Sequence, residues 1–327
     1  VGDGGEETMT AIVPPIGPTN SPLLALVGEA PGQEEERQLQ PFVGPSGFLL
    51  NQMLSQAGIV RQDCYITNVS LTRPPDNDFG KAFYEDHKRE SPTRALCDCR
   101  ERLWTEIRTV KPKVIVAFGA EPMKALTHKG GISNYRGTMV ECFGIRVVPT
   151  YHPSYILRGN YSERSVVEAD LRKALRQAKN PYKPSVIFNP DPTFSDVIDF
   201  FNTPQKRYTL DIETIKNIVR CIGFGWSKTE AISIPFITRG VHHWTEDQER
   251  EILHRLDLLF RDPNTEFELQ NGPYDLTILA REFGFVIANY SFDNMFAHHL
   301  LFPELLKGLD FQCSVYTDHH MYWDYDR

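Results

Sequence analysis

Between residues 22 and 178, short apolar runs exchange regularly with amphipathic stretches, and this exchange limits the fold more than any other feature. "PLLALVG" precedes "SGFLLNQMLSQAG", "CYITNVSL" precedes "SPTRALCDCRERLWTEIRTV", and "KPKVIVAFG" precedes "AEPMKALTH". "GIRVVPTYHPS" and "SVVEADLRKALRQAK" close the series. The short runs read as buried strands and the longer 3.6-period stretches as helices. Their alternation predicts a mostly parallel sheet covered by helices on both faces. Ser46 is the expected amino-terminal cap of the first long helix, and Gly58 its stop.

The alternation ends at "KNPYKPSVIFNPDPT" (179–193), a stretch rich in Pro and Asn that reads as a linker. The boundary is placed near residue 184, dividing the chain into domains 1–183 and 184–327. The second begins with three strand-like runs, "RYTLDIET", "IVRCIGFGW" and "EAISIPF". The helix "TEDQEREILHRLDLLFRD", the strand "TEFELQNG" and the helices "PYDLTILAREFG" and "DNMFAHHLL" follow. That order fits a ribonuclease-H-like α/β unit.

Charge separates the two parts as well. Residues 1–183 carry 23 Lys and Arg against 21 Asp and Glu, whereas residues 184–327 carry 12 against 22. An acidic half suits a site for divalent cations, which then supply the local positive charge that phosphate meets. No apolar run approaches the ~18 residues of a membrane span, and no signal-peptide pattern is present. Six scattered cysteines without a secretory signal read as reduced thiols in a cytosol, bacterial or phage-infected. The chain opens on Val1, which reads as a fragment.

In open α/β sheets, ligands bind beyond the carboxyl ends of the strands. Those ends carry Gly28 and Glu29, then Asn68, then His152, and a nearby loop delivers Phe42. An amide, an imidazole, a carboxylate and an aromatic ring are thereby expected at one edge.

These residues sit in "GEAPGQEEE", "PFVGPSG", "YITNV", "RPP" and "YHPSYILR", which in this order resemble a family 4 uracil-DNA glycosylase over about residues 20–178. The resemblance implies a three-layer α/β/α domain that acts on a base flipped out of DNA. Phe42 would be the floor under the base. Asn68 would donate to uracil O4 and accept from N3–H, leaving cytosine with unpaired groups. His152, as the resemblance implies, would donate to O2 of departing uracil. Glu29, and after it Glu35, are the candidate carboxylates for the oxocarbenium-like sugar or its attacking water. Gly28 and Gly32 would let the backbone approach closely, and Arg158 would meet a phosphate as "HPSYILR" enters the minor groove.

The family also carries an iron–sulfur cluster on four cysteines. Where one of these follows "YITNV", this chain has Thr72; Cys99 matches another, and Cys97 and Cys99 form only C-x-C. No iron–sulfur cluster is expected.

In the second half, "LDIET" turns Asp211 and Glu213 to one face of a strand. "QNGPYDLTIL" adds Asn271 and Asp275 at a strand–helix junction. Converging carboxylates suit hard divalent cations, Mg or Mn. D-x-E with N-x-x-x-D resembles the 3′–5′ proofreading exonuclease domain of family A DNA polymerases, and "FDNMFAHHLLFPELLKGLDF" resembles its bacteriophage members. Tyr322 with Asp326, and His319 with Asp324, have spacings close to that family's last motif but read as coincidences in an acidic tail. The exonuclease domain is therefore expected to be truncated, with a polymerase domain downstream. The expected partner is DNA, uracil-containing or with single-stranded 3′ ends, and not a membrane. The competing expectation is a module that senses uracil without cutting.

Overall fold

A computed structural model describes residues 11–181 and 187–318. Contacts divide the chain into two compact units, Val1–Tyr182 with Asp310–Arg327, and Lys183–Leu309. No helix among the described residues is long and apolar enough to cross a membrane.

The first unit runs β1 (Leu24–Gly28), α1 (Gln33–Gln38), α2 (Pro45–Gln56), β2 (Tyr65–Asn68), α3 (Phe79–Phe83), α4 (Arg94–Val110), β3 (Val114–Phe118), α5 (Ala120–Thr127), α6 (Ile132–Tyr135), β4 (Val140–Cys142), β5 (Ile145–Thr150), α7 (Pro153–Leu157) and α8 (Arg164–Lys179). Its sheet has the order β2-β1-β3-β5-β4. All neighbours are parallel except the edge strand β4, which pairs antiparallel with β5. Every residue of β1 and β3 is buried, as strands covered on both faces must be. Leu24 and Leu26 join a core with Leu50, Met53 and Leu171 from α2 and α8. Ala25 and Val27 point the other way, into a core with Leu103, Ile107 and Met123 from α4 and α5. Three α/β/α layers follow from that period-two alternation.

Parallel register brings the strand ends to one edge. Gly28 pairs with Asn68 and Phe118 with Thr150, so the segments that leave β1, β2, β3 and β5 start side by side. The cap expected at Ser46 is Gly44, because Pro45 opens α2 at the first helical position.

The second unit contains β6 (Ile187–Asn189), α9 (Phe194–Asn202), β7 (Arg207–Ile215), β8 (Ile218–Gly225), β9 (Glu230–Pro235), β10 (Ile237–Thr238), β11 (Val241–His242), α10 (Glu246–Arg261), β12 (Glu266–Leu269), α11 (Gly272–Phe283), β13 (Tyr290–Asp293) and α12 (Asn294–Leu301). Its six-stranded sheet has the order β13-β12-β7-β8-β9-β6. An antiparallel meander β7-β8-β9 is extended by β12 and β13, which run parallel to β7. This is a ribonuclease-H-like arrangement. On β7, Tyr208, Leu210 and Ile212 turn to the core, whereas Asp211 and Glu213 stand on the opposite face.

Two elements correct the linear reading. Part of the expected linker is strand β6, paired with β9. The segment from Asp310, expected in the second domain, belongs by contact to the first unit. There α13 (Leu309–Tyr316) brings Ser314 to the buried Arg136 and Lys173. Arg136 also pairs with Asp170 at 3.0 Å, and Asp170 accepts the Thr150 hydroxyl at 2.7 Å. The side chains of Arg136, Asp170 and Lys173 are all buried, and buried charges persist only when matched in this way.

Candidate functional site

A cavity of about 540 Å³ opens at the carboxyl edge of the first sheet. Glu29, Gly32, Glu35, Phe42, Asn68, His152 and Arg158 all line it. Gly28, expected to contact the substrate, is not among the lining residues but packs directly behind Asn68 and Phe42, which are. A Cβ at Gly28 would lie 2.2 Å from Asn68 Oδ1 and 2.7 Å from Phe42 Cζ, so only glycine leaves room for both side chains.

Asn68 ends β2 and is 3% exposed. The guanidinium of Arg102, on α4, donates to its carbonyl (2.5 Å) and to that of Val69 (2.7 Å), which fixes the backbone. Among the described residues, the side-chain Nδ2 has no hydrogen-bond partner. A buried donor without an acceptor costs roughly 1–3 kcal/mol, a cost relieved once a ligand supplies an acceptor oxygen.

Phe42 holds a left-handed backbone (φ 53°), which is strained for an aromatic residue. Glu35 explains how it is kept there. Its Oε1 accepts Val43 N–H (3.0 Å) and Gly44 N–H (2.9 Å), and its Oε2 accepts Gly32 N–H (3.2 Å). One carboxylate thus ties the turn after β1 to the Phe42 loop. Both oxygens of Glu35, a carboxylate expected as a candidate for the chemistry, are engaged in this bracing. The Phe42 ring lies 5.9 Å from Phe118 edge-on and 5.7 Å from His152 at 28°.

His152 caps α7. Its Nδ1 accepts the Ser154 backbone N–H at 3.1 Å. A backbone N–H can only donate, so the proton of the neutral ring sits on Nε2. Burial, helped by the Arg158 charge, pulls the imidazole down to about 4, so the ring is neutral near pH 7. The site therefore contains an uncharged N–H donor. Arg158 is steadied by Ser154 Oγ at 3.2 Å.

Glu29 behaves differently from Glu35. Burial first, then the neighbouring Glu121, push its carboxyl up to about 7, against the opposing pull of Arg89 and Arg158. Arg89, Glu121 and Arg102 escape a sequence reading. Their part depends on loops and helices meeting in space, and no local spacing signals it.

The residues near Thr72 do not fit an iron–sulfur cluster. Ser70 Oγ donates to the Thr72 carbonyl (2.9 Å) and lies 3.2 Å from its hydroxyl.

In the second unit, Asp211 and Glu213 share one face of β7, and Asp275 is buried in the first turn of α11. Burial, then Asp211, push Asp275 up to about 7. Asp211, whose side chain is crowded yet reaches solvent, is raised by burial and then by Glu213. Asp293, absent from the sequence expectations, adds its charge to Asp275. It is itself occupied, accepting the N–H groups of Asn271, Gly272, Met295 and Phe296. No group of three acidic, His or Cys side chains among the described residues has a metal-holding arrangement, while the charge of Glu213 acts on Asp211 and that of Asp211 on Asp275. The pairs Tyr322 with Asp326 and His319 with Asp324 lie outside the described residues.

Comparison with known proteins places these features in context. The family model described as the uracil DNA glycosylase superfamily matches residues 14–176. The chain is 37% identical over 155 residues to the type-4 uracil-DNA glycosylase of Thermotoga maritima, covering 46% of this chain and 75% of that protein. It is 32% identical over 176 residues to that of Archaeoglobus fulgidus, covering 51% and 82% respectively. A DNA polymerase of Bacillus phage SP01 is 27% identical over 204 residues, 59% of this chain but 21% of the polymerase. Among solved structures, Brucella melitensis NrnC covers 41% of this chain and 60% of its own at 19% identity. Its TM-score of 0.30 is too low to bear on the second unit's function.

Proposed function

We propose, from the premise that this chain belongs to the uracil-DNA glycosylase superfamily, that its first unit hydrolyses the N-glycosidic bond of a uracil flipped out of DNA. The observation that carries this reading is the unpartnered Nδ2 of Asn68 in the same cavity as the Nε2–H of His152 and the ring of Phe42. Uracil offers two carbonyl oxygens to two such donors and a π-face to the ring.

The chemistry then follows from charge. As the C1′–N1 bond breaks, its electron pair moves onto uracil, and His152 donates to O2 where that charge gathers. The sugar becomes oxocarbenium-like. Ionised Glu29 steadies it and orients a water whose oxygen bonds to C1′, the water proton passing to the carboxylate. No step requires a metal or a cluster.

Glu29 must be ionised for this role, and its carboxyl is pushed up to about 7. A carboxyl with a raised pKa is protonated below that pH and charged above it. The kcat/KM for uracil release is therefore expected to rise about tenfold per pH unit below pH 7 and level off above it. Glu29→Gln should retain little activity and lose that limb. A profile already flat from pH 5 upward would exclude Glu29 from the step.

For the second unit we infer a 3′–5′ exonuclease-type module beside a downstream polymerase domain. Asp211 and Glu213 on a ribonuclease-H-like sheet, with Asp275 in the first turn of α11, support this reading, as does the likeness to a phage polymerase.

One assay tests both units. An end-labelled single strand with one uracil is incubated with the protein, with and without EDTA, and then treated with alkali. EDTA-resistant breakage at the uracil supports the glycosylase; Mg-dependent shortening from the 3′ end supports the exonuclease. Neither product, with tighter binding of the uracil strand than of its thymine twin, would favour the non-catalytic sensor.

A further inference from the structure

We propose that Arg89 is a phosphodiester-binding residue at the mouth of the glycosylase cavity, contacting the backbone of the strand that carries the flipped nucleotide. The inference rests on the glycosylase reading of that cavity.

Arg89 lies in the connection between α3 and α4, and that connection is built to aim it. Tyr84 and Pro92 form an antiparallel bridge, and Glu85 N–H bonds the Ser91 carbonyl at 2.9 Å. Inside this clasp the Asp86 carboxylate accepts the N–H groups of Glu90 (3.2 Å) and Ser91 (2.6 Å). These bonds hold its carboxyl below the usual range. Arg89 itself takes a left-handed backbone, φ 58°, and its carbonyl accepts Lys124 Nζ. A non-glycine residue held in that conformation against its preference marks a loop whose geometry is fixed by the surrounding bonds.

The side chain is also directed. Its Nη1 donates to Glu121 Oε1 at 3.0 Å, and Glu121 is 4% exposed. The other Glu121 oxygen accepts the Tyr84 hydroxyl at 2.7 Å, and Arg100 donates to that hydroxyl at 3.1 Å. Gly80 leaves space for the guanidinium, since a Cβ there would lie 3.0 Å from Arg89 Nε and Nη2.

A guanidinium has five N–H donors, and the bond to Glu121 uses only one. The side chain remains 44% exposed and lines the same cavity as Glu29 and Arg158. Arg89 and Arg158 both act on Glu29, while Glu121 and Asp78 oppose them. A half-exposed cation fixed at a cavity for a nucleotide meets a polyanion, and planar N–H donors match phosphate oxygens. The rival role is purely structural, a brace between the loop and α5.

The test uses the full chain and a fluorescent single strand carrying 2′-fluoro-deoxyuridine, whose glycosidic bond resists hydrolysis. Binding is measured across a salt series. Arg89→Gln is expected to bind about tenfold more weakly. It should also flatten the slope of log K against log salt by about 0.7, the value of one phosphate contact on a single strand. Arg89→Lys keeps the charge and should keep the slope. On a cleavable strand, measured well above the titration of Glu29 so that loss of the Arg89 charge does not protonate that carboxylate, Arg89→Gln should raise KM with little change in kcat. An unchanged slope with only a lowered melting temperature would overturn the proposal in favour of the brace. Wild-type protein that releases no uracil would overturn the glycosylase reading instead, while the slope still decides the phosphate contact.

Discussion

Replacing His152 with asparagine is expected to slow uracil release by about 10²–10³-fold, the usual cost of one donor aimed at a developing oxyanion. The substitution separates two jobs that one ring performs. His152 Nδ1 accepts Ser154 N–H and caps α7, which leaves Nε2–H for the proposed contact with uracil O2. Asparagine is among the best capping residues, so His152→Asn keeps the cap and withdraws only the distant donor. The loss should fall on kcat, with binding of the 2′-fluoro strand and the melting temperature little changed. Acidity gives a second check. The imidazole is held down to about 4, below its ordinary value near 6.5. The unfolded chain therefore binds the extra proton first, and this histidine's share of stability fades as pH falls from about 6.5 toward 4. Above that window the donor is neutral and constant, so wild-type kcat should carry no histidine limb near pH 6. A limb there that vanishes in His152→Asn would mean a charged imidazole, and the neutral-donor account would fail.

What could be read beforehand divides along one physical line. Gly28, Glu29, Asn68 and His152 were legible as a group because parallel strands put their carboxyl ends on one edge, and residue order alone finds those ends. The face shared by Asp211 and Glu213 was legible because strand alternation has a period of two. Partners that arrive from elsewhere in the chain were not legible. The bracing of Val43, Gly44 and Gly32 N–H groups by Glu35 has no mark in the sequence. Arg102 sits on α4 without any local mark, yet it fixes the backbone of Asn68. Ile187–Asn189 resembled a linker because a short edge strand among prolines has no periodicity of its own. The return of Asp310 to the first unit rests on Ser314 meeting Arg136 and Lys173, residues 178 and 141 positions away. Separations that long leave no pattern in a single sequence.

The same geometry makes a single methyl group decisive. Gly28→Ala is expected to lower kcat/KM for uracil release by about 10²-fold, the scale of a 1 Å misplacement at a reacting centre. Conformation is not the reason, since Gly28 is absent from the positive-φ residues. Space is. The new Cβ would fall 2.2 Å from Asn68 Oδ1 and 2.7 Å from Phe42 Cζ. Neither neighbour yields easily. Asn68 is buried at the end of β2 with its carbonyl held by Arg102, and Phe42 is wedged against Phe118 and His152. The amide must turn or the ring must tilt, and either motion would spoil the proposed pairing of Asn68 with a uracil stacked on Phe42. Overpacking costs about 1–3 kcal/mol, offset in part by the stiffer unfolded chain, so the variant should fold. The decisive measurement compares 2′-fluoro strands carrying uracil or cytosine. Discrimination between them should collapse in Gly28→Ala while single-strand affinity persists. Full discrimination in a folded Gly28→Ala protein would mean that the base lies elsewhere than against Asn68 and Phe42.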